Sequence, residues 1–411
     1  MDNILYLDVE TTAFVDGVKT YGHPFNPENF MCTIQVMSST DMVPVVYKFQ
    51  YPDTSAAVGE TIQIIEELIS AHDVLVGFNI KFDLHWLNRY GMTGYKNKRI
   101  EDVQYMFFLL QSQQARFPSL NQVADYLGLP QKIDVVKTEY WDQGIDTSQV
   151  PFDVLEEYGA YDVKLTQLAH QSLTEELSDR GDVALINNLS VHMVDLLVLQ
   201  EMEFNGMMYD TVEAEKVRED TENKIKAIDA EFADYVPEGV ADFNPGSNDQ
   251  LSVILFGGTL YQPYYELIGK YKTGKRAGED KFSPRVKEIE VKRLINPQKK
   301  WETKKEGYYS VAADILEFLS KKQKGIAKRI VDLALDRASL QKLLSSYCNS
   351  IANLITSNKW EVKNGLACIH GTLNQCVAIT GRLASSKPNL QNMDGNIKYL
   401  FVTRYPNGST S

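Results

Sequence analysis

The stretch Ile4-Leu5-Tyr6-Leu7-Asp8-Val9-Glu10 decides how the first 180 residues are read. Ile4–Asp8 has the apolar, aromatic character of a strand that begins almost at residue one. Residues two apart on a strand share a face, so Asp8 and Glu10 point the same way, roughly 7 Å apart along the chain. A lone Asp-x-Glu is most often a solvated edge. It becomes a ligand pair only if further carboxylates arrive on suitable elements.

Two further motifs follow in order. Asn79-Ile80-Lys81-Phe82-Asp83 places Asp83 just past the carboxyl end of a short strand, Val74–Phe78, a usual place for a site in an α/β sheet. Tyr158-Gly159-Ala160-Tyr161-Asp162 puts Tyr158 and Asp162 four apart on one helix face. Singly these are weak; Asn79 and Asp83 could be turn and cap chemistry. In order, they supply four carboxylates and a phenol, the donor set of a two-metal phosphodiesterase. All-oxygen ligands favour Mg²⁺ or Mn²⁺ over zinc, and two ions per site are expected. Tyr158, with an ordinary pKa near 10, suits orienting a water better than deprotonating it.

Around these motifs the first 180 residues read as a mixed α/β domain, strands early and helices late. Thr33–Met37 and Val43–Phe49 read as strands joined by a polar turn, and Thr61–Ala71 as an amphipathic helix. Residues 181–411 read as mainly helical. One helix runs from Val183 to a stop at Gly206 and another from Val212 to Tyr235; two more fit Ala312–Leu319 and Ile326–Ser350. Residues 259–309, basic and interrupted by Gly and Pro, read as extended or mobile.

The two parts differ in charge. Residues 1–180 hold 12 Lys and Arg against 26 Asp and Glu, a net of −14, whereas residues 181–411 are near neutral. Lys270–Lys305 carries 13 basic residues against five acidic ones, a stretch that would attract a polyanion, with Lys275, Arg276, Lys292 and Arg293 as its candidate contacts. A solvated surface run is the commoner fate of such charge. Four cysteines, Cys32, Cys348, Cys368 and Cys376, match no zinc spacing and are expected as thiols in a reducing compartment, the cytoplasm. No run of 18 apolar residues and no signal peptide is present, so no membrane partner is expected.

The three motifs resemble those of the DEDDy 3′–5′ proofreading exonucleases of family A, the DNA polymerase I-like DNA polymerases. Later blocks extend the resemblance. Glu203-Phe204-Asn205-Gly206, then Phe243-Asn244-Pro245-Gly246-Ser247 with Gln250-Leu251 and Leu255-Phe256, are similar to the segments leading into the thumb. Thr380-Gly381-Arg382-Leu383-Ala384-Ser385-Ser386 running into Pro388-Asn389-Leu390-Gln391-Asn392 is similar to the family's TGRL…PNLQN block. Met393-Asp394 stands where the family has Ile-Pro.

The resemblance implies an RNase H-like exonuclease over residues 1–180, followed over 181–411 by a thumb and the start of a palm. Asp8 would bridge both ions, Glu10 and Asp162 would hold the first, and Asp83 the second, partly through water. Tyr158 would position the attacking water. Asn79 would contact the single-stranded 3′ end, and Arg382, Asn389 and Gln391 the primer–template minor groove. The family's palm carboxylates, fingers and final His-Asp-Glu have no counterpart before Pro406–Ser411. The layout resembles phage enzymes, acting in a host cytoplasm, and a complementing palm and fingers fragment is the expected partner. Apolar surface near Ile397–Val402 would await it. A different class also fits, a catalytically idle DNA-binding or structural subunit. An independent exonuclease of the ribonuclease D type fits poorly, having no use for a palm segment.

Overall fold

A computed structural model describes residues 2–15, 17–20, 22–51, 58–132, 134–241 and 243–405. Two compact units emerge, residues 1–212 with 351–411, and residues 213–350. This division differs from the expected one at residue 180.

In the first unit, β1 (Ile4–Thr11) precedes a small hairpin, β2 (Phe14–Val15) and β3 (Val18–Lys19), then β4 (Met31–Ser38) and β5 (Val45–Lys48). α1 (Val58–Ala71) crosses to β6 (Val74–Gly77), and α2 (Lys81–Arg89) crosses to β7 (Arg99–Asp102). The strands form one sheet, ordered β5-β4-β1-β6-β7. β5, β4 and β1 are antiparallel neighbours, while β6 and β7 join in parallel. β1 shows why both faces are covered. Leu5, Leu7 and Val9 enter one core with Ile34, Leu75, Leu84 and Trp86, while Tyr6 enters another with Val76, Phe107, Leu165 and Leu173. Asp8 and Glu10 have the parity of Tyr6, which directs them to that second face.

α3 (Val103–Leu110), α4 (Leu120–Leu127), α5 (Val135–Glu139) and α6 (Phe152–Arg180) follow. Ser119 caps α4 with the reciprocal Ser–Gln bonds of a capping box, and Gly128 ends it in the left-handed region. α7 (Val183–Asn205) packs against α2 and β7, and β8 (Met207–Asp210) comes next. By length and composition α7 could cross a membrane, which the search for an unbroken apolar run did not show. Yet Gln200 and Glu203 on its buried face bond to Tyr95 and Lys81, polar partners that lipid cannot supply.

The second unit begins in α8 (Thr211–Phe232), followed by α9 (Asn248–Phe256), the strands β9 (Gly258–Lys270) and β10 (Asp280–Val291), α10 (Ala313–Lys322) and α11 (Gly325–Leu343). The Asn244…Ser247…Gln250 motif is a cap. Gln250 Oε1 accepts from the Asn244 N–H at 2.7 Å, Asn244 Oδ1 from the Gly246 N–H at 2.9 Å, and Ser247 Oγ from the Gln250 N–H. Much of residues 259–309, read as extended or mobile, is extended strand. β9 and β10 pair antiparallel over most of their length into a two-stranded ribbon. Its register puts Tyr261, Pro263, Tyr265 and Leu267 on the same side as Val286, Pro284 and Phe282, and Tyr265 is 75% exposed. The other side carries Gln262, Tyr264 and Glu266 with Lys287 and Arg285. These strands do alternate, Phe282, Pro284 and Val286 against Ser283, Arg285 and Lys287, but the Gly, Pro and charge of the stretch mask the pattern.

The first unit resumes from Ile351 in α12 (Ser350–Ser357), then β11 (Val362–Lys363), β12 (Leu366–Ile369), β13 (Thr372–Asn374), β14 (Ala384–Ser386) and β15 (Phe401–Val402). A second sheet runs β11-β12-β8-β15. Ile397, Leu400 and Phe401 are buried, correcting the expected apolar surface there; of these neighbours Tyr399 is the exposed aromatic. The expectation for Pro406–Ser411 lies outside the described residues. All four cysteines carry free thiols.

Candidate active site

α6 lies across the sheet face that carries Asp8 and Glu10, and its approach depends on Gly159. A Cβ there would meet Gln35 Cδ at 2.9 Å. Gln35 stands opposite Asp8 in the β1–β4 register and donates from Nε2 to Asp8 Oδ2 at 2.6 Å. Tyr158 and Asp162 therefore flank a close helix–sheet contact and face the strand carboxylates.

One oxygen each from Asp8, Glu10 and Asp162 falls within 4.8 Å of the others. Asp162 Oδ1 is buried with no hydrogen-bond partner. Crowded carboxylates with an orphaned oxygen fit a hard divalent cation, which takes oxygen ligands. The electrostatics agree. Burial pushes the Asp8 and Glu10 carboxyls up, Asp8 adding to the rise at Glu10, and Asp162 reaches about 7 although Lys132 opposes the rise. Such shifts are the cost of gathering acids away from water, relieved when a cation binds. Tyr158 is held neutral, its pKa driven up by burial and by the charges of Glu10 and Asp162.

Asp83 lies just past the carboxyl end of β6, where the sequence reading places it. It sits in the first turn of α2, buried, with Oδ1 accepting from the Val9 N–H at 3.0 Å. It lines the same cleft of about 660 Å³ but is not in the close trio. Asp102 shapes the approach to it. Its carboxylate accepts from the Asn79 and Ile80 N–H groups at 3.1 Å each and also caps α3. Asn79 takes a left-handed φ of 57° at the cleft, with its side chain exposed. Phe78, Phe82, Phe117 and Trp141 supply aromatic lining.

Sequence reasoning missed Lys132, and read Glu203 only as part of a family block, without its partners. Lys132 donates to Asp162 Oδ2 and lies 4.4 Å from the Tyr158 ring centre. Glu203, buried on α7, accepts from Lys81 Nζ at 2.6 Å, His85 Nε2 at 2.7 Å and the Leu373 N–H at 2.5 Å. Neither shows a spacing signal, because the partners come from separate elements.

The remaining candidates fall in both units, Arg382, Asn389 and Gln391 in the first and Lys275, Arg276, Lys292 and Arg293 in the second. Arg382 is exposed; Asn389 Oδ1 accepts from the Gln391 N–H, and Gln391 Oε1 from the Ser385 N–H. One end of each amide is thus committed to the loop. Lys275 and Arg276 lie in the ribbon turn, where Arg276 pairs with Glu279 at 2.7 Å. Lys292 and Arg293 follow β10, and Arg293 Nε donates to the Phe256 carbonyl at 3.0 Å. A ribbon of this length separates the two pairs by about 40 Å, so they form no single patch.

Residues 18–178 match the 3′–5′ exonuclease family, and residues 282–405 match DNA polymerase family A. The first match begins after Asp8 and Glu10, whose proximity to Asp162 the geometry shows. DNA polymerase I of Caldicellulosiruptor bescii is 26% identical over 336 residues, 82% of this chain and 30% of the relative. DNA polymerase I of Bacillus subtilis is 28% identical over 241 residues, 59% of this chain and 21% of that one. The chain thus spans under a third of the length of these relatives. In fold it is similar to the polymerase domain of Pol1 from M. smegmatis, solved with DNA primer–template and dNTP. That match has a TM-score of 0.63 at 17% identity and covers 98% of this chain and 55% of the other. The chain accordingly carries one segment similar to 3′–5′ exonucleases and another similar to DNA polymerase family A.

Proposed function

We propose that this chain removes nucleotides from DNA 3′ ends by metal-dependent hydrolysis, as the proofreading part of a family A DNA polymerase in DNA replication. The observation that carries this reading is the trio Asp8, Glu10 and Asp162, with the orphaned Asp162 oxygen, beside Tyr158. Residues 1–180 then form an RNase H-like domain, a reading supported by the sheet order and its three antiparallel strands. Residues 181–411 supply thumb and initial palm, gripping primer–template duplex.

A water attacks the terminal phosphorus, the bond to the preceding nucleotide's 3′-oxygen breaks, and a nucleoside 5′-monophosphate leaves. Bound Mg²⁺ or Mn²⁺ supplies the Lewis acidity that lowers the water's pKa and carries charge on the departing oxygen. Asp8, Glu10 and Asp162 would hold one ion, and Asp83 with Asp8 a second. Tyr158, kept neutral, orients the water by hydrogen bonding. Asn79 and the aromatic lining receive the single-stranded end, where stacking tolerates any base. We place the chain in a reducing, cytoplasmic compartment.

The test is release of nucleotides from a 3′-labelled oligonucleotide with Mg²⁺ or Mn²⁺. Asp8→Ala and Asp162→Ala should each abolish it without unfolding the protein, and a silent wild-type chain would sink the reading. The 411 residues contain no counterpart of the family's palm carboxylates, so this polypeptide alone should incorporate no nucleotide on a primed template. A palm and fingers fragment, on the same or another chain, should restore synthesis. The Lys132–Asp162 ion pair favours a second reading, an idle site in a DNA-binding subunit; the same release assay separates the two.

A further inference from the structure

The cleft contains a cation that the exonuclease reading leaves unused. Lys132 lies between α4 and α5 on a loop fixed at two points. Its N–H donates to Asn121 Oδ1 at 2.8 Å, and the Tyr161 hydroxyl donates to the Gln131 carbonyl at 3.0 Å. From that anchor its side chain reaches Asp162 Oδ2 and covers the Tyr158 ring. Among the described lining residues Lys137 is the other cation.

Three carboxylates with oxygens within 4.8 Å repel one another unless positive charge lies among them. Lys132 supplies that charge through one oxygen of Asp162, while the other oxygen stays without a partner. A divalent ion using Asp162 meets the ammonium on the same carboxylate. Two cations at such separation oppose each other strongly in a water-poor cleft.

We propose that Lys132 is a resident counter-cation of this centre, and that a divalent ion must displace its ammonium from Asp162 in order to bind. The inference rests on the metal-site reading above and adds to it a built-in threshold. At low metal the lysine holds the carboxylates together, and the site loads only when the ion outcompetes it. The long flexible stem lets the ammonium leave while its loop stays pinned.

Mn²⁺ titrated calorimetrically into the metal-free 411-residue chain, without DNA, tests this. Lys132→Gln should bind Mn²⁺ at least about tenfold more tightly than wild type, and Lys132→Arg, which keeps the charge, should stay near wild type. Wild-type binding with no gain in Lys132→Gln overturns the proposal and leaves the metal site standing. No binding by either protein removes both. A second measurement needs no variant: amine-reactive labelling of the wild-type chain, read at Lys132 by mass spectrometry. Labelling should rise on saturation with Mn²⁺; unchanged or lower labelling overturns the proposal.

Discussion

Replacing Glu203 with Ala should destabilise the first unit more than any surface change. The Glu203 side chain is 4% exposed and that of Lys81 13%, so the pair is nearly dry. Truncation removes three hydrogen bonds and leaves the Lys81 ammonium with the Leu373 carbonyl as its remaining recorded acceptor. Breaking a buried ion pair on one side costs about 3–5 kcal/mol, a large share of the roughly 5–15 kcal/mol that holds a domain folded. Glu203→Gln should cost less, about 1–3 kcal/mol. Its oxygen can still accept from Lys81 and Leu373, but its amide N–H₂ would face the His85 Nε2–H donor.

The pH dependence distinguishes the two terms. Burial alone would raise the Glu203 carboxyl, but the His85 hydrogen bond and the Lys81 charge hold it below the ordinary 4.5. A folded-state value lowered in this way stabilises the protein above pH 4.5, and the contribution fades as pH falls through the lowered value. The gap between wild type and Glu203→Gln should therefore narrow below about pH 4.5. Urea denaturation followed by fluorescence reads both effects. A loss under about 1 kcal/mol for Glu203→Ala, or a gap independent of pH, would refute the reasoning.

Gly159→Ala drives a methyl group into Gln35 and should cost about 1–3 kcal/mol in a thermal melt. The displaced Gln35 should also weaken Mn²⁺ binding, since its amide positions Asp8. Neutralising Lys275, Arg276, Lys292 and Arg293 together should weaken duplex binding, each lost phosphate contact flattening the log–log salt slope by about 0.9. The two pairs lie at opposite ends of the ribbon, so their separate double variants should lose affinity additively. A wild-type slope in the quadruple variant would assign the grip elsewhere.

What the sequence determined by itself is local in origin. Asp8 and Glu10 share a strand face, and Tyr158 and Asp162 share a helix face, because the backbone repeats every two or 3.6 residues. The family blocks pointed to DNA polymerase family A, which residues 282–405 match, although not to the cap that Asn244, Ser247 and Gln250 build. What the tertiary structure decided involves partners distant along the chain. Lys132 meets Asp162 across 30 residues and Glu203 meets Lys81 across 122, and no periodicity encodes either pairing. Asp83 lies past a strand end, as the sequence reading places it, but the hold of Asp102 on the Asn79–Ile80 turn, 22 residues beyond Ile80, is decided by the fold. The ribbon stayed hidden for the opposite reason. Its local alternation is present, as in Phe282-Ser283-Pro284-Arg285-Val286-Lys287, yet the Gly, Pro and charge of the stretch mask it, and only the fold shows β9 paired with β10.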